Sequence, residues 1–178
     1  TWGIGWMPED KIKNVDFNKL WGKVNRSFKR KKSSILISAE TISRAFHEKP
    51  ESMFQLRDEF LKNIPIKIIV YLRRQDYHVE SWYNQRIKTG LTSEKLTSST
   101  RLPGMYNYYQ YLTSIAAVFG KQNLIIRPYE KQQFTGGNIY NDFLHCLGLN
   151  WDENIYKLPG EDPNPRLSRN ALEFLRIA

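Results

Sequence analysis

The sequence has one cysteine, three histidines and no long apolar run, and each shortage excludes a class of protein. A single cysteine, Cys146, cannot form an internal disulfide or a thiolate metal cluster. The histidines (His47, His78 and His145) have no metal-ligand spacing, so we predict that the chain binds no metal. No window approaches about 18 consecutive apolar residues, so we expect no membrane span in this chain and, by default, a cytoplasmic location.

Acidic residues are also in short supply. The chain carries 27 lysines and arginines against 18 aspartates and glutamates, which gives a net charge of +9. This excess favours an anionic partner, such as a nucleotide, a nucleic acid, a sulfated glycan or a membrane surface. Part of it lies in residues 29–32, Lys-Arg-Lys-Lys. The run looks like a nucleic-acid-binding patch, but because cations suit the C-terminal end of a helix, we interpret it as a solvated helix terminus.

Length and composition predict a single folded domain over residues 1–178. A chain of 178 residues, 40% of them hydrophobic, is long enough and apolar enough to bury a core. We divide it into a lead-in with one helix, residues 1–33, and a main body, residues 34–178. The chain does not begin with methionine, so we expect it to be a fragment or a processed piece.

Helical and extended patterns alternate along the chain. Helices are predicted at residues 16–31, from 41, at 52–63, 76–88, 105–119 and 137–147, and from 168; strands are predicted at 34–38, 66–72 and 124–127. Strands that alternate with helices indicate the α/β class, with a central parallel sheet flanked by helices. The polar segment at 89–104 is predicted to be a long functional or mobile loop.

The most informative stretch starts with the apolar run from Ile66 to Leu72. A strand that is buried on both faces shows such a run. Arg73 follows it directly, at the end of the strand where ligands collect in open α/β sheets. Asp76 is predicted to cap the next helix, which would bring Ser81 back toward the strand end. A guanidinium and a hydroxyl that converge there predict a phosphate clamp; the alternative is an ordinary strand-end arginine and an ordinary helical serine.

This arrangement resembles the 3′-phosphate-binding element of sulfotransferases that use 3′-phosphoadenosine 5′-phosphosulfate. Residues 70–76 and 80–85 are similar to bacterial sulfotransferase-like proteins in particular. The similarity extends to three short sequences within 126–144, Ile-Arg-Pro-Tyr-Glu, Gly-Gly-Asn-Ile and Asp-Phe-Leu. It also includes Asn-Pro-Arg-Leu-Ser-Arg-Asn at 164–170. The resemblance covers residues 35–178. The resemblance implies a P-loop-like three-layer fold. It also implies that the sulfate donor is 3′-phosphoadenosine 5′-phosphosulfate, that the product is adenosine 3′,5′-bisphosphate, and that the acceptor is a carbohydrate or another hydroxyl or amine compound. It argues against nucleic acid as the partner.

The resemblance also implies which residues bind the cofactor. Arg73 and Ser81 would hold the 3′-phosphate. Arg166, Ser168 and Arg169 could add phosphate contacts, since a helix N-terminus with flanking arginines suits an anion. Capping of the last helix by Ser168 explains that pattern almost as well.

Two residues are candidates for the general base that deprotonates the acceptor. Glu40 is the first, because it follows the predicted strand at 34–38 on the sheet edge where Arg73 emerges. The alternative is that Glu40 neutralises a nearby arginine or caps the next helix. His78 is the second candidate, although we expect it to point away from Ser81 and to lie at the surface.

One element of the resemblance is missing. Such sulfotransferases hold the 5′-phosphosulfate in a Gly-, Lys- and Thr-containing loop between the first strand and the first helix, and nothing in residues 1–34 supplies it. Residues 88–93, Lys-Thr-Gly-Leu-Thr-Ser, look similar, but they follow a helix, so we interpret Gly90 as a helix C-terminal residue. Either the first strand and loop lie upstream, or the activity is lost. If the activity is lost, the chain is a non-catalytic anion- or glycan-binding module. A third alternative, which rests on charge alone, is a nucleic-acid-binding domain.

Overall fold

The computed structural model describes residues 17–31, 34–38, 41–97, 107–158, 160 and 167–177. Within these ranges the helices are α1 (Phe17–Lys31), α2 (Thr41–Glu48), α3 (Glu51–Gln55, continued by a wider π-helical turn at Leu56–Phe60), α4 (Gln75–Lys88), α5 (Tyr108–Phe119), α6 (Ile139–Cys146) and α7 (Arg169–Ile177), and the strands are β1 (Ile68–Leu72) and β2 (Leu124–Pro128). The strands form a small parallel sheet flanked by helices, which confirms the α/β class. None of the helices in these ranges has the length and apolarity that crossing a membrane requires.

The strands predicted at 66–72 and 124–127 are confirmed as β1 and β2. All five residues of β1 are half-buried, whereas the continuous apolar run indicated burial on both faces. In the described residues β1 has one neighbouring strand, β2, so the sheet covers less of it than a wide sheet would. The predicted helices are also confirmed, with ends that differ by a few residues.

The strand predicted at 34–38 is wrong. These residues have no regular secondary structure and do not join the sheet that the described residues form. Ile35, Leu36 and Ile37 are 40%, 58% and 46% exposed. An apolar run identifies a segment that can be buried, but whether it becomes a strand depends on a partner elsewhere in the chain, which the run itself does not specify.

The chain forms two compact units, one made of Thr1–Ile68 and Gly104–Leu124 and the other of Ile69–Pro103 and Ile125–Ala178. That residues 1–178 form a single domain stays a prediction. The core of the first unit consists of buried side chains from α2, α3 and α5: Phe46, Met53, Ile115, Val118 and Phe119. Helix α3 contributes Met53 to this core as its periodicity predicts, and Leu56 packs at its edge.

Helix α1 is attached to the first unit through its apolar face. The Trp21 ring stacks on Phe60 with 5.4 Å between the ring centroids. The side-chain amide of Asn25 donates a hydrogen bond of 2.7 Å to the Phe60 carbonyl. These contacts fix the rotation of α1 about its own axis, so that its other face is exposed to solvent.

Candidate functional site

The carboxyl ends of β1 and β2 lie at the same edge of the sheet, because the two strands are parallel. Arg73 and Arg74 follow β1, and Tyr129 and Glu130 follow β2. The Tyr129 amide donates to the Leu72 carbonyl at 2.8 Å, so the pairing extends one residue beyond β2. This edge is where ligands bind in open α/β sheets, and the structure therefore places Arg73 where the sequence predicts it.

Arg73 is held against an aromatic ring at this edge. Its guanidinium carbon lies 4.8 Å from the centroid of the Tyr129 ring, a cation–π geometry. Arg73 is half-buried, and Tyr129 remains 39% exposed. A guanidinium oriented by a ring keeps its charge and its planar fork of donors, which is the form that binds phosphate and sulfate oxygens in a bidentate manner.

Arg74 is engaged by its own neighbours. Its Nε and Nη2 donate to the Asp76 carboxylate at 2.7 and 2.5 Å, and its guanidinium carbon lies 4.1 Å from the centroid of the Tyr77 ring. The hydrogen bond from Arg74 lowers the pKa of Asp76 to about 2. The predicted cap is wrong: α4 begins at Gln75 with Arg74 as its N-cap, and Asp76 lies in the first turn. Arg74 binds the Asp76 carboxylate and so competes with the capping role that the sequence predicts for it. The sequence pattern of a helix cap does not reveal that competition.

His78 and Ser81 lie on the same helix, α4, and both are half-buried. The expectation that His78 lies at the surface is therefore wrong, whereas its direction relative to Ser81 stays a prediction. Burial lowers the pKa of His78, and the positive charge of Arg73 lowers it further. The imidazole is therefore neutral at pH 7. The role of Ser81 as the second half of a phosphate clamp stays a prediction.

The remaining site candidates are less well placed. Glu40 and Arg166 lie outside the described residues. Ser168 is the cap of α7, because its Oγ accepts a hydrogen bond of 3.2 Å from the Ala171 amide. Arg169 is the first residue of that helix, which packs against α4. Phosphate contacts from Arg166, Ser168 and Arg169 stay predictions.

Residues 88–93 are a helix end, as the sequence indicates. Gly90 has φ +68°, and its amide donates to the Ile87 carbonyl at 3.0 Å. The Leu91 amide donates to the Arg86 carbonyl at 2.8 Å, which completes a Schellman-type termination of α4. The backbone amides of this segment therefore satisfy helix carbonyls and do not surround a phosphate.

A buried carboxylate beneath the sheet edge is the main feature that the sequence analysis missed. Asp142, on α6, is fully buried. It accepts hydrogen bonds from the Tyr71 hydroxyl at 2.6 Å, from the Thr135 amide at 2.8 Å and from Arg127 Nε at 3.1 Å. A second guanidinium nitrogen of Arg127 also donates to it, so the pair is bidentate.

These contacts fix the ionisation of the group. Burial by itself would raise the pKa of Asp142, but the hydrogen bonds from Arg127, Tyr71 and the Thr135 amide outweigh burial and hold the pKa far below its usual range. Burial and the hydrogen bond to Asp142 raise the pKa of the Tyr71 hydroxyl. At neutral pH the network is an aspartate anion paired with an arginine, and the tyrosine serves as a neutral donor.

The network is linked to the sheet edge through aromatic rings. Tyr71, Tyr129 and Phe134 pack edge to face, with ring centroids 5.7 to 6.5 Å apart. Tyr71 thus joins the buried carboxylate to Tyr129, over which Arg73 lies. The available sequence signal was a charged residue within an apolar strand, Arg127, and another within an apolar helix, Asp142.

No family model and no solved structure matches the chain. It is 34% identical over 119 residues to a protein of Archaeoglobus fulgidus that is described only as an uncharacterized protein. The match covers 66% of this chain and 32% of that relative, so the chain spans about a third of the relative's length. The description states no activity, and the functional argument therefore rests on the residues themselves.

Proposed function

We propose that this chain is part of a sulfotransferase that uses 3′-phosphoadenosine 5′-phosphosulfate and acts on a carbohydrate or other hydroxyl or amine acceptor. The observation that carries the proposal is Arg73, which extends beyond β1 at the carboxyl edge of the parallel sheet and is oriented by Tyr129. Ser81 follows on the next helix at the spacing that the family resemblance requires. We also propose that the sheet belongs to a P-loop-like three-layer fold.

In this proposal the 3′-phosphate binds at the sheet edge. Arg73 donates two hydrogen bonds to the phosphate oxygens, and the Ser81 hydroxyl donates a third. His78 is neutral at pH 7. It therefore adds no competing charge. As an unprotonated imidazole it is suited to accept a proton, which is the role of the second candidate for the general base after Glu40. Sulfuryl transfer itself depends on positioning and on charge stabilisation rather than on covalent chemistry in the protein.

A non-catalytic anion- or glycan-binding module is the second candidate. The observation in its favour is the helix end at Gly90, because the Lys-Thr-Gly stretch there terminates α4 and cannot cradle a 5′-phosphosulfate. As an anion-binding module the second candidate uses the same 3′-phosphate site as the enzyme, so nucleotide binding tests the site in both. Because this chain lacks the 5′-phosphosulfate loop, we expect residues 1–178 alone to transfer no sulfate; transfer of labelled sulfate to a panel of glycan acceptors by a longer protein that supplies the loop separates the candidates, since only the enzyme gives product.

The test of the site compares two nucleotides by calorimetry. Adenosine 3′,5′-bisphosphate is expected to bind more tightly than adenosine 5′-phosphate, because only the first has a 3′-phosphate for Arg73. Arg73→Ala should remove most of that preference, a loss on the order of 1.5–3 kcal/mol for a charge-assisted contact, or roughly 10- to 100-fold in affinity.

Arg86→Ala is the matched control. Arg86 lies on α4 with its guanidinium carbon 5.1 Å from the centroid of the Trp82 ring, so the control removes an arginine of the same kind from the same unit. The preference for the 3′-phosphate should survive this change. Equal affinity of the unsubstituted protein for the two nucleotides would reject the site.

A further inference from the structure

Helix α1 carries a row of positive charge. Six of its 15 residues are lysine or arginine, and none is acidic. Among its residues whose side chains are described, the exposed ones are all basic: Lys19, Lys23, Arg26, Lys29 and Arg30. Residues 19, 23, 26 and 30 follow the spacing of a single helix face, so four of these cations lie in a line about 16 Å long.

Helix stability does not account for this row. Cations near the C-terminal end of a helix complement the helix dipole. This explanation applies only to residues 29–32. Lys19 lies in the first turn, where a positive charge opposes the dipole, and Lys23 and Arg26 lie in the middle. The helix contains no acidic residue that could pair with Lys23 or Arg26 at a spacing of three or four. Lys23, Arg26 and Arg30 therefore repel one another along the row, and an external anion would relieve that repulsion.

The contacts of α1 restrict what that anion can be. The apolar face of the helix is occupied, because Trp21 and Asn25 contact Phe60 within the first unit. A helix that binds a lipid surface needs that face for insertion, so a membrane fits poorly. The described exposed side chains of α1 include no aromatic residue on which bases could stack and no asparagine or glutamine that could read base edges, so recognition of nucleic-acid bases by this helix fits poorly as well.

We propose that the basic row on α1 (Lys19, Lys23, Arg26 and Arg30) binds an acidic polysaccharide along its length. A linear polyanion with regularly spaced carboxylate or sulfate groups can pair with successive cations and needs no further recognition chemistry. The choice of a polysaccharide rests on the proposed function, in which the acceptor is a carbohydrate. The observation of the basic row does not depend on that function.

The test measures binding of the chain to polygalacturonate, with neutral dextran as the uncharged probe. Two variants each replace four exposed basic residues of the first unit by glutamine: a row variant at Lys19, Lys23, Arg26 and Arg30, and a control variant at Lys49, Lys62, Lys67 and Lys121. Both lose the same net charge. At physiological salt the row variant should bind on the order of 100-fold more weakly, and the control should stay close to the unsubstituted chain. The slope of log affinity against log salt should become shallower by about three in the row variant.

Three outcomes would overturn the proposal. Equal losses in the two variants would mean that overall charge attracts the polymer. Tighter binding of short duplex DNA than of polygalacturonate at the same salt would assign the row to nucleic acid. Tighter binding of phosphatidylserine vesicles would assign it to a membrane. Arg73→Ala should leave polygalacturonate binding unchanged, so failure of the nucleotide site and failure of the basic row give different results.

Discussion

Asp142 shows at the residue scale how a charge is kept inside this protein. An ionised carboxylate that is removed from water is destabilising unless it is paired and hydrogen-bonded. Asp142 has the charge of Arg127 beside it and accepts from the Tyr71 hydroxyl and the Thr135 amide. The side chain of Arg127 is 29% exposed, so one partner of the pair still reaches solvent.

Asp142→Asn should lower the free energy of unfolding by about 2–3 kcal/mol. This value is near the lower end of the cost of breaking a buried ion pair, because water can hydrate Arg127. The amide keeps the shape of the side chain and can still accept from Tyr71, but the negative charge is lost. Urea unfolding at pH 7 measures the change. Asp76→Asn is the control, because it breaks a bidentate pair with Arg74 in which both partners are more than half exposed, and little change is expected.

The effect of Asp142 depends on pH. The pKa of Asp142 is lower in the folded state than its unfolded value of about 3.9, so the ionised form stabilises the fold above that pH. This stabilisation is lost as the pH falls toward the folded pKa. The stability difference between the unsubstituted chain and Asp142→Asn should therefore be largest near neutrality and should shrink below about pH 4. A difference that stays constant down to pH 3 would mean that the ion pair is not its source.

At the scale of elements, the turn before α6 positions the Thr135 amide toward Asp142. This turn places Gly136 at φ +68° and Gly137 at φ +75°, in the left-handed region that glycine tolerates. A Cβ at Gly136 would overlap the side chain of Asn141, whereas one at Gly137 would meet no atom within 4 Å. Two adjacent glycines therefore share a backbone requirement and differ in their surroundings.

Alanine substitutions exploit that difference. Gly137→Ala should cost about 1 kcal/mol in the free energy of unfolding, which is the penalty for a left-handed alanine. Gly136→Ala should cost about 2–3 kcal/mol, because Asn141 must also move. Urea unfolding compares the two variants directly. Equal costs would show that Asn141 adapts freely and that only the backbone conformation matters.

At the scale of the whole molecule, residues 34–38 form a segment with three apolar side chains that lies outside the described sheet. Leu36 is 58% exposed. Adjacent apolar side chains that are exposed to water favour contact with another chain, which would bury them. We therefore expect the chain to self-associate as its concentration rises, through this segment.

Leu36→Lys should suppress that association, because a charge in this exposed apolar segment opposes its burial against another chain. The free energy of unfolding should stay within about 0.5 kcal/mol, as for most surface substitutions. Sedimentation velocity over a range of concentrations measures association. Leu91→Lys is the control, since Leu91 is 65% exposed but follows the end of α4. If Leu36→Lys associates as strongly as the control, the segment is not the contact.

The features that can be predicted from the sequence are local. The helices, the strands β1 and β2, the Ser168 cap and the helix end at Gly90 depend on residues within about five positions, where periodicity and capping act. The position of Arg73 after a strand is local in the same sense. These features were predicted and are confirmed.

The features that the sequence does not predict involve residues far apart in the chain. Tyr71 and Asp142 are 71 positions apart, and no periodic pattern links a strand hydroxyl to a helix carboxylate at that distance. The exposure of residues 34–38 depends on whether another strand lies beside them. The half-buried position of His78 depends on how α4 packs. In each case the deciding contact is a long-range pairing, and its free energy depends on burial that exists only after the chain has folded.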